Sequence, residues 1–283
     1  MLEYNIKVSN KIPLERETIQ KKQVIVLNQM IKKMKKIDGL TSEIYAEILS
    51  KITEINFRIE DVNTYAQKFY EIKKKVEVIM PTAFYCIKEN TVYIRGDAYI
   101  RPGLIATEVA SQTERIIIQE TLYALAFNGK DKLGYMMIST RNNEINKVVG
   151  QGLNKMATAE ISHQILGEEK VNGIPEDYKI AMDIIILLLE IDNNQFLTNY
   201  FLKDSWYNEE IEKKLDKKNY ENEPLMTIVK EYDKRKNLND FNSNIVIELM
   251  ELAYKNKTAT FKRSNKGKMC LEKIIKIKKI YEL

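Results

Sequence analysis

The sequence contains a single histidine, which excludes any site that needs two or more imidazole ligands. Its two cysteines exclude a disulfide scaffold, and its low numbers of glycine (10) and proline (5) exclude a collagen-like or linker protein. No stretch approaches the roughly 18 uncharged apolar residues of a membrane-spanning helix, and the first residues show no apolar signal-peptide run. These absences predict a cytoplasmic protein with no membrane span and with two free thiols.

What is present suits a folded protein. Hydrophobic residues make up 44% of the 283 residues, which is enough for a sizeable core and too much for intrinsic disorder. The 45 basic and 40 acidic side chains give a net charge of +5, which by itself does not indicate a nucleic-acid-binding protein. The basic residues are unevenly distributed, however: residues 255–279 contain ten Lys or Arg and only one acid, Glu272.

Apolar residues near helical spacing predict three helices at the start of the chain, over 15–37, from Thr41 or Ser42 onward, and over 60–76. The second of these has an apolar face formed by Ile44, Ile48 and Ile52. Residues 1–76 are therefore predicted to be a helical segment. Further helices are predicted near 104–127, 153–166, 177–190, 194–201, 208–215, 224–234 and 240–254.

The pattern changes to that of a β-hairpin after residue 77. Residues 83–87 and 91–94 are rich in aromatic and β-branched residues, and 88–90 can form the turn between them. In the C-terminal part, 217–283, residues 258–263 look strand-like, and 275–278 fit either a strand or a helix. The fold class predicted from the whole pattern is α+β, predominantly helical, with one small sheet.

The order of segments over residues 77–216 resembles bacterial zinc metallopeptidases of the gluzincin type. A hairpin, AFYCIKENTVYI, precedes a helix with IIIQETLYALA, and GQGLNKMATAEISHQILG and QFLTNYFLKDSWYNEEIEKKL follow. In that family an edge strand is followed by a helix with H-E-x-x-H, and a later helix opens with a pattern like L-N-E-G-x-T-E. The resemblance implies a zincin-like core over 77–216, in which the edge hairpin packs on the active-site-type helix.

The zinc ligands of that family are missing here. In H-E-x-x-H two histidines four residues apart bind one zinc, and the Glu acts as general base. Aligned with this motif, Gln119 and Tyr123 replace the histidines, and Glu120 keeps the position of the base. Ala159 stands at the third ligand position, with Glu160 one residue later. We therefore expect no metal, no cofactor and no zinc-peptidase activity.

Simpler interpretations of these residues stay open. The segment QETLYA also fits an ordinary amphipathic helix, in which Glu120 faces solvent or accepts a hydrogen bond from a backbone amide at the sheet edge. A carboxylate pair of Glu120 and Glu160, or His163 as a lone base, would be acid/base alternatives. Cys86 is more simply a buried strand thiol than a nucleophile.

The function predicted from the resemblance and the missing ligands is a non-catalytic protein- or peptide-binding module. The edge strand of such a fold can accept an extended peptide by strand addition. Its remnant cleft would be lined by Gln119, Glu120, Tyr123, Ala159 and Glu160. One alternative is a nucleic-acid-associated protein that uses Lys262, Arg263, Lys266 and Lys268 of the basic tail, and another is an enzyme of metal-free chemistry.

Overall fold

The structure is a computed structural model, and it confirms a predominantly helical α+β protein with one small mixed sheet. The predicted helix over 208–215 lies outside the residues that the structure describes. Those residues are 2–13, 15–37, 40–73, 80–99, 108–126, 154, 157–158, 160–162, 164–166, 176–192, 196–197, 200–201, 223–234 and 242–281.

The chain divides into two compact units, each formed by two segments. The first unit contains Met1–Asp131 and Ile161–Gly173, and the second contains Lys132–Glu160 and Ile174–Leu283. The division into 1–76, 77–216 and 217–283 that the sequence suggests stays a prediction.

Among the elements whose bounds the structure describes, the first unit contains the sheet and four helices. Its elements in chain order are β1 (Asn5–Val8), α1 (Arg16–Met34), α2 (Ser42–Glu54), β2 (Asn56–Glu60), α3 (Val62–Lys73), β3 (Ala83–Cys86), β4 (Thr91–Arg95) and α4 (Glu108–Leu125). The strand order in the sheet is β1-β2-β4-β3. β1, β2 and β4 run parallel, and β3 pairs antiparallel with β4 at the edge.

The predicted hairpin is confirmed. β3 and β4 pair in register from Ala83 opposite Ile94 to Cys86 opposite Thr91. A short 3₁₀ turn, Ile87–Glu89, links them and ends at Asn90, whose φ of 44° lies in the left-handed region that Asn tolerates better than most residues. The Asn90 side chain fixes this turn, because its oxygen accepts a hydrogen bond from the Tyr85 hydroxyl at 2.9 Å.

The prediction of a helical segment over residues 1–76 holds for α1, α2 and α3 but misses β1 and β2, which lie within it. β2 is only five residues long, and its buried residues Phe57 and Ile59 alternate with more exposed ones. A strand this short shows a weak period-two signal, and it exists because parallel neighbours on both sides complete its backbone hydrogen bonds.

The predicted helix after Thr41 is confirmed in its cap and in its buried face. The Thr41 hydroxyl accepts a hydrogen bond from the Ile44 amide at 3.4 Å, which satisfies a donor at the start of α2. The buried residues of α2 are Ile44, Ile48 and Ile52, as its four-residue spacing predicts.

The second unit is helical in its described residues. Its helices are α5 (Glu176–Leu189), α6 (Glu223–Lys234), α7 (Ser243–Lys255), α8 (Ala259–Arg263) and α9 (Asn265–Tyr281). α9 packs against α5, α7 and α8. Its buried residues, Gly267, Cys270, Ile274 and Ile277, recur at three- and four-residue spacing along one side.

The strand-like interpretation of 258–263 is wrong, because this segment is the helix α8. Thr258, which adds to the β-branched character of the sequence, is the N-cap and accepts a hydrogen bond from the Phe261 amide at 3.2 Å. Residues 275–278, for which strand and helix both stayed open, belong to α9.

Both cysteines are free, as predicted, and both are buried. Cys86 is a strand thiol in β3, and burial raises the pKa of the Cys270 thiol to about 12. A thiol with so high a pKa is a poor nucleophile at neutral pH. Among the described residues, no helix combines the length and the apolar character needed to cross a membrane.

Candidate functional site at the edge strand

The helix α4 carries three of the predicted site residues and packs against β3 and β4. Gln119, Glu120 and Tyr123 are each half-buried on this helix. The residues that surround them in the sequence form its buried face: Ile117, Ile118, Thr121, Leu122, Ala124 and Leu125. The hairpin and the helix therefore lie together in one unit, in the relation that the sequence predicts.

The pairing of β3 with β4 decides which backbone groups point to the outer edge of the sheet. In an antiparallel ladder, alternate residues bond the neighbouring strand and the intervening ones point away from it. The Arg95 amide donates to the Thr82 carbonyl at 2.9 Å, so Phe84 and Cys86 also direct their backbone groups toward β4. Ala83 and Tyr85 therefore direct theirs to the outer edge.

Glu120 fills one of these outer positions. Its Oε2 accepts a hydrogen bond from the Tyr85 amide at 2.7 Å, and the two residues are 35 positions apart in the chain. The bond is charge-assisted, and such bonds are shorter and stronger than those between neutral groups. A carboxylate held in this way joins α4 to the edge strand, and this is one of the two simpler roles that the sequence left open for Glu120.

The edge strand is closed in this structure. All four residues of β3 are buried, although no further strand follows β3 in the sheet that the described residues form. Edge strands with open hydrogen-bonding groups promote pairing with other chains, and covering the edge prevents this. A segment of another protein can therefore pair with β3 only if Glu120 leaves the Tyr85 amide.

A buried aromatic cluster lies beside the site. Phe84 of β3 contacts Tyr65, Phe69 and Tyr93, with ring centroids 5.4, 5.3 and 5.1 Å from its own. Burial and then the negative charge of Glu120 raise the pKa of Tyr65, so its hydroxyl stays protonated. That hydroxyl donates to the Pro81 carbonyl at 2.8 Å, which anchors the chain just before β3.

Nothing that the structure describes brings the other predicted site residues to this edge. Glu160 belongs to the second unit, where it is helical and buried. Ala159 and His163 lie outside the described residues. The pairing of Glu120 with Glu160, and His163 as a base, stay predictions.

The described residues offer no ready metal site, since they contain no group of three or more His, Cys, Asp or Glu side chains placed to hold an ion. Comparison with known protein families, with curated proteins and with solved structures finds no match to this chain. The resemblance to gluzincin-type metallopeptidases therefore stays a prediction.

Tyr85 is the hydrogen-bond partner of Glu120 that sequence reasoning did not name. Its side chain and its position in a predicted strand gave no reason to single out its backbone amide. An outward-pointing amide can be identified only when the strand order is known. Only an edge strand has such amides, and they belong to alternate residues.

Glu120→Ala is expected to lower the free energy of unfolding by about 2 kcal/mol, because the variant removes the charged acceptor of the Tyr85 amide. Glu120→Gln is expected to lose less, since the amide oxygen of Gln can still accept the bond. Urea unfolding followed by circular dichroism measures both. Glu114→Ala on the same helix is the control, and a loss as large as that of Glu120→Ala would show that the bond contributes nothing specific.

Proposed function

We propose that this protein is a non-catalytic relative of gluzincin-type metallopeptidases that binds an extended segment of another protein along β3. The observation that carries the proposal is the bond between Glu120 and the outward-pointing amide of Tyr85. Glu120 is aligned with the general base of such a peptidase, and here its carboxylate accepts a hydrogen bond from an amide of the edge strand.

The order of the elements supports the resemblance. β3 is the antiparallel edge strand of an otherwise parallel sheet, and the chain continues through β4 into α4. The peptidases that the sequence resembles also place an edge strand before the helix of H-E-x-x-H. Here Gln119 and Tyr123 occupy the histidine positions, and neither is a good zinc ligand at neutral pH.

Binding requires an exchange at the Tyr85 amide. In strand addition, carbonyl groups of the bound segment accept hydrogen bonds from the outer amides of the edge strand. The Glu120 carboxylate holds one such amide at 2.7 Å, so it competes with the segment for the same donor. The variant Glu120→Ala removes the competitor and is expected to bind an extended segment about tenfold more tightly than the unmodified protein does.

The test uses fluorescein-labelled β-casein, which is an unfolded protein, as the probe. Fluorescence anisotropy measures binding, and gel electrophoresis of the same samples after long incubation measures cleavage. We expect the unmodified protein to bind casein without cutting it, Glu120→Ala to bind more tightly, and Glu114→Ala to bind as the unmodified protein does.

Three results would overturn the proposal. Cleavage of casein would show a catalytic protein, and absence of binding by both the unmodified protein and Glu120→Ala would show that β3 accepts no segment. Binding that is equal in the Glu120→Ala and Glu114→Ala variants would place the contact away from the Tyr85 amide.

A further inference from the structure

The C-terminal helix α9 has an unusually basic composition. Six of its 17 residues are lysine, and Glu272 is its only acid. Lys273 is paired with Asp183 of α5, and Lys278, whose side chain is 45% exposed, lies 3.5 Å from Glu251 of α7. The other four are exposed and lie on the solvent side: Lys266, Lys268, Lys276 and Lys279.

Exposed apolar side chains lie among these lysines. Leu271 is 42% exposed and Ile275 is 47% exposed. With Lys268 and Lys279 they follow a spacing of three, four and four residues, so the four side chains form one stripe along the helix. Met269, at 48% exposure, lies on the neighbouring stripe with Lys276. The solvent side of α9 is thus both cationic and apolar.

The rest of the unit holds α9 in place, so this surface is formed before any partner binds. The Tyr281 hydroxyl donates to Asp177 Oδ2 at 2.6 Å and is 2.6 Å from the hydroxyl of Tyr232 on α6. At the other end, Gly267 approaches the α8 backbone so closely that a Cβ atom would lie 2.1 Å from the Phe261 carbonyl oxygen. Both ends of α9 are therefore fixed to neighbouring helices.

We propose that the solvent side of α9 docks on the surface of an anionic phospholipid bilayer. Four to eight basic residues on an amphipathic helix are typical of binding to anionic lipids, where each contributes about 1 kcal/mol. Leu271 and Ile275 enter the headgroup layer, and the exposed lysines lie against the lipid phosphates. At about 1.5 Å per residue the helix is about 25 Å long, so it lies along the bilayer and does not cross it.

The apolar stripe favours a membrane over a nucleic acid as the partner. Interfaces with nucleic acids are polar and strongly basic, and exposed aliphatic side chains gain little from a phosphate backbone. Of the residues that the sequence suggests for nucleic-acid binding, Arg263, Lys266 and Lys268 are exposed, whereas Lys262 is half-buried and donates to the Lys255 carbonyl at 2.6 Å. That alternative is an outcome of the test below.

The test is flotation of the full chain with vesicles of phosphatidylcholine alone or mixed with an equal part of phosphatidylglycerol. We expect binding to the anionic vesicles only. Removal of three exposed charges in K268Q/K276Q/K279Q is expected to weaken binding on the order of a hundredfold. L271Q/I275Q is expected to weaken binding about tenfold while leaving the net charge unchanged.

The matched control is K32Q/K35Q/K36Q, which removes three charges from lysines that are also exposed but lie at the end of α1 in the first unit. It is expected to bind as the unmodified protein does. Equal weakening by both triple variants, or no effect of L271Q/I275Q, would overturn the proposal. Binding of duplex DNA, with no binding of anionic vesicles, would also overturn it and would favour the nucleic-acid alternative.

Discussion

Phe84→Ala is expected to lower the free energy of unfolding of the first unit by about 3–5 kcal/mol, the usual cost of removing a buried phenylalanine ring. Phe84 is only 2% exposed and contacts Tyr65, Phe69 and Tyr93. The contacts with Tyr65 and Phe69 are edge-to-face, and that with Tyr93 is stacked. The variant therefore loses both buried area and ring contacts.

The measurement is urea unfolding followed by near-ultraviolet circular dichroism, which reports on packed aromatic rings. Tyr70→Ala is the control, because Tyr70 is an aromatic residue of α3 with 55% exposure. Its expected loss is below about 0.5 kcal/mol. Equal losses in the two variants would contradict a core centred on Phe84.

Gly267→Ala is expected to destabilise the second unit by about 3 kcal/mol, at the upper end of the usual cost of overpacking. The added Cβ would lie 2.1 Å from the Phe261 carbonyl oxygen and 2.9 Å from the Lys262 Cα. Both are backbone atoms, so no side chain can move aside, and α8 and α9 must separate.

Helix propensity alone predicts the opposite sign for Gly267→Ala. In an exposed helix interior, Ala is more favourable than Gly by about 1 kcal/mol, so a helix without close neighbours would gain stability from the same change. Lys268→Ala, at the exposed next position, is the control and is expected to change stability by less than about 0.5 kcal/mol. A stabilising effect of Gly267→Ala would show that α8 and α9 do not approach as closely as described.

The two proposals can be tested independently because they use different units of the chain. Glu120 variants alter the β3 edge in the first unit, and the α9 variants alter only exposed residues of the second. We expect Glu120→Ala to float with anionic vesicles as the unmodified protein does. In the same way, we expect K268Q/K276Q/K279Q to bind casein with unchanged affinity at physiological salt, so failure of one proposal leaves the other standing.

Several elements were predictable from the sequence because their signal is local. The α2 helix is marked by a Thr cap and three isoleucines at four-residue spacing, and all three are buried. The β3–β4 hairpin is marked by aromatic and β-branched residues on both sides of a polar turn. In each case the residues that form the cap or the turn lie within a few positions of the element that they define.

The elements that sequence reasoning missed depend on distant partners. β1 and β2 are short strands 48 or more residues apart in the chain, and only their parallel pairing makes them strands. Thr258 is a β-branched residue and favours a strand, but here its hydroxyl caps the helix α8. Local propensity cannot settle such cases, because the deciding contacts are tertiary.

By itself, the sequence determined the fold class, the hairpin, the free thiols and the absence of a two-histidine metal site. These follow from composition and from patterns a few residues long. Only the tertiary structure decided that Glu120 holds the Tyr85 amide and that Lys273 and Lys278 of α9 pair with acidic residues of neighbouring helices. The physical reason is that a hydrogen bond or an ion pair between distant residues depends on strand order and helix packing, which no local pattern encodes.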